Sequence, residues 1–240
     1  MAGEAKAQNV TPPTRSDTVN VGGMVMTRRR VLIARLIVFP IFAGLVVLTI
    51  YMRPRVGMLI SGAIWIVFNI YWSVAARGFK TAAKKSEARK STWIHQVMMN
   101  MGLLLLFIPV PGLVRHFLPV RTALTPIGLG VQLAFFALAI WARRHLGTNW
   151  SSTVRVAEGH ELVRSGPYRF VRHPIYTAMI GMCVGTTIVA GQYHALLGTL
   201  LVFVAYMRKT RLEENILREE FGSVYDDYRQ HSWALVPGLF

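Results

Sequence analysis

Cysteine is almost absent from this chain: of 240 residues only Cys183 is one, and it lies in an apolar stretch. A single cysteine excludes an intrachain disulfide framework and a cysteine-built zinc site, and apolar surroundings suit a small buried core residue. Acidic residues are scarce as well, 11 against 27 Lys and Arg. Charged residues make up only 16% of the chain, whereas a soluble domain carries about a quarter. A phosphate-binding glycine loop, a dinucleotide fingerprint and a zinc-protease helix are all missing. The seven histidines are scattered, and none pairs with a carboxylate at ligand spacing, so no metal is expected. His95 and His194 fall in apolar stretches and read as hydrogen-bonded core histidines. There is no internal repeat, which argues against many transporter folds.

What is present is apolar. Hydrophobic residues make up 53% of the chain, in long uncharged stretches separated by short basic clusters. That pattern belongs to a membrane protein. The net charge of +16 is therefore read as membrane-flanking charge that favours anionic headgroups, not as a nucleic-acid groove. Four stretches reach the ~20 residues that cross a bilayer: Val31–Met52, Val56–Ala76, Ser91–Val114 and Thr122–Ala142. A fifth, His173–Met207, is too long for one span and carries a turn signal at 190–192, so a hairpin of two shorter helices is expected. The fold class is thus all-α. A disordered tail over 1–26 precedes a four-helix transmembrane region, 27–142, and a region of loop, hairpin and C-terminal helix, 143–240. Arg211–Gln230 has apolar residues at helical spacing and reads as an amphipathic helix that Gly222 can break.

Positive charge sets the orientation. With the N-terminus inside, Arg28–Arg30, the loops 77–90 and 143–172 and the segment after 207 share one side and hold 20 Lys and Arg. The opposite side holds Arg53, Arg55, Arg115 and Arg121. This bias places both termini in the cytoplasm.

Polar residues concentrate at 160–176 and 208–214, next to the two cytoplasmic ends of the hairpin. Arg172, His173 and Pro174 stand where the loop enters the membrane, with Pro174 suited to a first helical turn. By composition alone Arg172 serves equally as a headgroup anchor. Glu213 and Glu214 are adjacent, so on a helix they face different directions, and Glu214 has Arg211 and Arg218 at ion-pair spacing.

The stretch Leu146-Gly-Thr-Asn-Trp-Ser151, the motif Gly166-Pro-Tyr-Arg-Phe-Val-Arg-His-Pro-Ile-Tyr176, and Glu213-Glu214 followed by Phe221-Gly222 and Tyr225 together resemble the isoprenylcysteine carboxyl methyltransferase family, itself related to membrane phospholipid methyltransferases. The resemblance covers roughly 140–235. It implies S-adenosylmethionine enclosed by the hairpin, the preceding loop and the C-terminal segment. It assigns His160, Leu162, Val163, Gly166, Tyr168, His173 and Tyr176 to the cofactor pocket, and Arg172, Glu213 and Glu214 to catalysis. It also implies a hydrophobic or lipid-like methyl acceptor, with O, S or N as the reacting atom left open. The Leu-Gly-Thr-Asn-Trp-Ser form and the short chain are closer to prokaryotic members, which implies an inner-membrane protein. Two other readings are an NADPH-dependent membrane reductase of related architecture and a non-enzymatic membrane protein. Length counts against the first, and sparse intramembrane charge against ion-coupled transport.

The charge asymmetry generates a topology prediction. Reporter fusions at residues 85 and 155 should read cytoplasmic and one at 118 external; a cytoplasmic signal at 118 refutes the threading.

Overall fold

A computed structural model describes residues 18–21, 24–27, 56–75, 85–86, 89–119, 123–147, 155–156 and 162–238. Val31–Met52, the expected first span, lies outside the described residues, as does His160. The described chain is dominated by six helices: α1 Val56–Ala75, α2 Arg89–Phe107, α3 Leu124–Leu146, α4 Pro174–Ala190, α5 Tyr193–Phe221 and α6 Ser223–Gln230. Two short antiparallel ladders accompany them. One pairs β1 Thr18–Val21 with β2 Met24–Thr27; the other pairs β3 Lys85–Ser86 with β4 Arg155–Val156. The first ladder falls in the tail expected to be disordered. The second joins the two basic loops that the charge pattern places on one side.

Among the described residues two helices, α1 and α3, are long and apolar enough to cross a membrane, and α4 is a shorter apolar helix. Three boundaries differ from the sequence reading. The third expected span, Ser91–Val114, is helical only to Phe107. Ile108 precedes Pro109, which disfavours helical geometry at Ile108 and cannot donate back into the last turn. The fourth runs past Ala142 to Leu146. There the buried Arg143 donates to the carbonyls of Ala75, 2.7 Å, and Gly147, 3.1 Å, which ties the end of this helix to the end of α1. The hairpin turns where expected, at left-handed Gly191, whose N–H bonds to the Thr187 carbonyl. Its arms, however, are unequal. α5 has 29 residues, about 43 Å at 1.5 Å per residue, against a hydrocarbon core about 30 Å thick. Its uncharged part ends at Met207, and the remainder, Arg208–Phe221, projects beyond. The expected separate helix from Arg211 is therefore the end of α5, and only after Gly222 does a new helix, α6, begin.

Helix packing relies on small residues, because lipid gives apolar side chains little reason to prefer protein neighbours. α3 and α4 meet at Gly128 and Gly185. A β-carbon at Gly185 would stand 2.6 Å from the Gln132 backbone nitrogen and 2.7 Å from the Gly128 carbonyl oxygen. α2 and α5 meet in the same way at Gly102 and Gly198. Buried polar groups connect three helices. Trp65 Nε1 donates to Thr186 Oγ1 at 3.0 Å, Ser61 and Thr186 hydroxyls are 3.0 Å apart, and Gln132 donates to the Ser61 carbonyl. At the hairpin turn the loop after α2 supplies backbone partners: Phe117 N–H bonds to Gly191 O, and His194 N–H to Leu113 O. His194 has its ring nitrogens 2.7 Å from Leu105 O and 2.8 Å from the Gln192 side-chain amide, and His95 Nδ1 lies 3.2 Å from Ala205 O. Both are bonded core histidines, as expected.

Gly185→Ala should lower stability by about 1–3 kcal/mol through overpacking. Gly130→Ala, with nothing within 4 Å of the new methyl, should be neutral or stabilising. Thermal unfolding in detergent compares the two; equal melting temperatures would remove the close-approach argument.

Candidate active site

The site is built where α4 begins and the projecting part of α5 passes it. Pro174 occupies the first turn of α4, so the preceding residues leave the helix extended and pair with the C-terminal tail. Arg172 N–H donates to Trp233 O at 2.8 Å, His173 N–H to Ala234 O at 3.1 Å, and Trp233 N–H back to Phe170 O. Leu235, fully buried in the main core, pins the tail. Three segments far apart in sequence, 170–176, 209–214 and 225–235, thereby converge.

Five of the residues singled out from the sequence meet here. Arg172 Nε donates to Glu214 Oε1 at 2.8 Å. Its Nη1 bonds to the carbonyls of Arg229 and Ser232. Glu214 takes a second cation, Arg229, whose Nε is 3.4 Å from Oε2. Tyr176 hydroxyl donates to Glu213 Oε2 at 2.7 Å. His173 stands between the carboxylates, Nδ1 3.4 Å from Glu213 Oε2 and Nε2 3.4 Å from Glu214 Oε1. These are ion-pair distances; Nε2 makes no geometrically sound hydrogen bond. The neighbouring glutamates thus face different sides, as helical geometry requires, with His173 shared. The expected local pairing of Glu214 with Arg211 or Arg218 does not occur: Arg218 pairs with Asp226, and Glu214 reaches cations 42 and 15 positions away.

The charges follow from burial and pairing. For Glu214 the largest influence, burial, raises the carboxyl pKa, but His173 and Arg172 together outweigh it and hold it to about 2. Glu213 is likewise held below its usual range: burial raises it, and His173, Lys209 and the Tyr176 hydroxyl more than reverse that. Burial pulls His173 down, yet the two carboxylates push it above its ordinary value. Both carboxylates are therefore ionised at neutral pH, and their charge favours the protonated form of His173.

Other expected site residues lie in the adjoining turn. Gly166 begins a single 3-10 turn with φ +59°, and a β-carbon there would press on the His145 ring. Tyr168 is buried, its carbonyl accepting from the Tyr228 hydroxyl, and it stacks on His145. Val163 packs on Ala142, Tyr168 and Ile175, while Leu162 is half-buried just before it. These residues shape the wall and do not join the charged cluster. The tail residues Tyr225, Arg229 and Ser232 were not expected at the site. Tyr225 stands in the stretch that carries the resemblance, without a role assigned to it, and no signal in the sequence marks Arg229 or Ser232.

Three buried polar atoms around Glu214 have no hydrogen-bond partner: His173 Nε2, Tyr225 Oη and Arg229 Nε. Two of them, His173 Nε2 and Arg229 Nε, face Glu214 at ion-pair distance, whereas the Tyr225 hydroxyl has no partner and the Glu213 carboxylate is partly exposed.

The profile of the isoprenylcysteine carboxyl methyltransferase family matches residues 128–219. The chain is 31% identical over 130 residues to protein-S-isoprenylcysteine O-methyltransferase B of Arabidopsis thaliana, covering 53% of this chain and 64% of that protein. It is 25% identical over 150 residues to the protein-S-isoprenylcysteine O-methyltransferase of Dictyostelium discoideum, covering 60% and 63%. The matched region thus spans less than two thirds of either relative. A solved eukaryotic intramembrane Ras methyltransferase of this family superposes with a TM-score of 0.52 at 20% identity, covering 83% of this chain and 74% of that one. The shared fold is therefore helical, and the family whose motifs the sequence resembles is the one whose profile matches residues 128–219.

The pKa directions generate a stability prediction. The contribution of Glu214, depressed from 4.5 to about 2, is present above 4.5 and lost as pH falls toward 2. That of His173, raised from 6.5, is full below 6.5 and lost as pH climbs through its raised value. Melting temperature should peak between these limits, and Glu214→Gln should flatten the acid limb. A wild-type acid limb unchanged in the variant would show that Glu214 is not the titrating partner.

Proposed function

We propose that this chain, whose residues 128–219 belong to the isoprenylcysteine carboxyl methyltransferase family, is an integral membrane enzyme that transfers a methyl group from S-adenosylmethionine to a hydrophobic or lipid-like acceptor on the cytoplasmic face. The observation that carries this reading is the convergence of Arg172, His173, Tyr176, Glu213 and Glu214 at the end of a membrane hairpin. Four spans before that hairpin, and a prokaryotic inner membrane, complete the proposal.

The residues suit the cofactor. S-adenosylmethionine presents a carboxylate, an ammonium and ribose hydroxyls beside its sulfonium. The Tyr225 hydroxyl, which has no hydrogen-bond partner, matches the carboxylate or ribose oxygens, and Glu213 matches the cationic part. Leu162, Val163, Gly166 and Tyr168, with His160 before them, supply the wall and backbone of the loop side. Bound there, the cofactor supplies an electrophilic methyl group, and alignment with exclusion of water dominates the rate.

Arg172 is assigned a positioning role. With Nε on Glu214 and Nη1 on two tail carbonyls, it holds the third wall of the site against the first two. A carboxylate acceptor needs no general base. An amine or thiol acceptor must lose a proton, and Glu213, the more exposed of the pair, is the group placed to take it.

Calorimetric titration of the purified chain should show binding of S-adenosylhomocysteine and none of NADPH. Glu213→Gln should weaken that binding roughly ten- to hundred-fold, the 1.5–3 kcal/mol typical of a charged hydrogen bond. Arg172→Lys cannot reproduce the fork of bonds and should reduce turnover by a similar factor. Labelled methyl transfer should favour an S-isoprenylated cysteine or a phospholipid over a hydrophilic acceptor. Folded protein that binds NADPH and not S-adenosylhomocysteine would sink the reading in favour of a reductase.

A further inference from the structure

A second feature lies on α5, on residues that the charged cluster does not use. Phe203, Val204, Met207 and Leu212 line a hollow of about 490 Å³ whose remaining lining residues are Arg208 and Arg211. It straddles the level at which α5 changes from uncharged to basic, since Met207 ends the apolar run and Arg208-Lys-Thr-Arg211 follows. α2 changes character at the same level: Arg208 donates from Nη1 and Nη2 to the carbonyl and hydroxyl of Ser91, in the first turn of α2 just after Arg89 and Lys90. Two helices therefore place their basic-to-apolar boundary side by side, where the headgroup layer meets the acyl chains.

The lining is matched to one kind of molecule. Arg211 is exposed and makes no ion pair with a described residue, whereas Arg172, Arg218 and Arg229 are each paired with a carboxylate. On the apolar side, Leu197, Leu200 and Val204 are about half exposed at spacings of three and four, one stripe of the helix leading into the hollow. From Leu197 to Arg211 this stripe is about 21 Å long at 1.5 Å per residue, which is the scale of one acyl chain. Apolar track, hollow and exposed guanidinium occur in the order in which a lipid presents chain, glycerol and phosphate.

We propose that this groove binds one anionic glycerophospholipid, with its phosphate at Arg211 and the edge of Arg208 and one acyl chain along Val204, Leu200 and Leu197. The site is separate from the methyl-transfer cluster, and the proposal does not rest on that activity. An anionic headgroup is favoured because the groove presents two guanidinium groups and no carboxylate among its lining residues.

The test uses the full chain, delipidated in mild detergent and then titrated with phosphatidylglycerol or phosphatidylcholine of the same acyl chains. Bound lipid is counted by native mass spectrometry, and melting temperature is followed in parallel. Phosphatidylglycerol should be retained at one equivalent, about tenfold more tightly than phosphatidylcholine, and should raise the melting temperature. Arg211→Gln should bring the two lipids to within about twofold while leaving the lipid-free melting temperature unchanged. Val204→Trp, which fills the hollow from an exposed position, should reduce retention of both. Glycerol phosphate without acyl chains should not compete at the same concentration. Equal retention of both lipids by the wild type, unaltered preference in Arg211→Gln, or displacement by glycerol phosphate would each overturn the proposal. So would concentration-dependent dimerisation abolished by Val204→Trp with no change in lipid retention.

Discussion

An ionised carboxylate as enclosed as that of Glu214 persists only where cations and donors replace the water it has lost. Arg172 and Arg229 meet that requirement from two different segments, with His173 at ion-pair distance from a third direction. The consequence is architectural. Because Arg172 also donates to the carbonyls of Arg229 and Ser232, neutralising Glu214 draws the tail onto the start of α4. The short parallel pairing of Val171 with Trp233 and the burial of Leu235 then complete a closed end of the bundle. Removing one member leaves the others with an incompletely compensated charge, so these residues are coupled as a unit.

The membrane part follows a different rule. In the bundle, proximity of helices is set by glycines that allow backbones to meet, and specificity by the few hydroxyl, indole and amide groups that bond across helices. That rigid packing fixes where α4 begins and where α5 leaves the apolar layer. The charged cluster then sits on segments that are free to be polar because they lie beyond it. The stacked rings of His173, Tyr176 and Tyr206 run from the charged end toward the interior and join the two regions.

Several features were legible in the chain itself. The apolar lengths identified α1, α3 and the hairpin, and Ala-Gly-Gln marked its turn, because only glycine readily takes the left-handed geometry a tight helical turn needs. The arginine-histidine-proline element and the glutamate pair marked residues that converge in the fold, since proline fixes the start of a helix and adjacent glutamates must face apart. Where α2 ended and α3 continued was less visible. Pro109 ends one helix locally, whereas the extension to Leu146 depends on Arg143 reaching the end of α1.

What the sequence determined by itself, then, was periodicity, apolar length and the local stop signals, all of which act over a few neighbouring residues. It could not determine partners. Local spacing offered Glu214 the nearby Arg211 and Arg218, and the folded chain gave it Arg172 and Arg229. An exposed ion pair at helical spacing contributes a few tenths of a kcal/mol, whereas a charge enclosed by packing must be neutralised from whichever segment the fold brings there. The tertiary structure decided that, because burial is a property of the assembled bundle and not of any stretch of it.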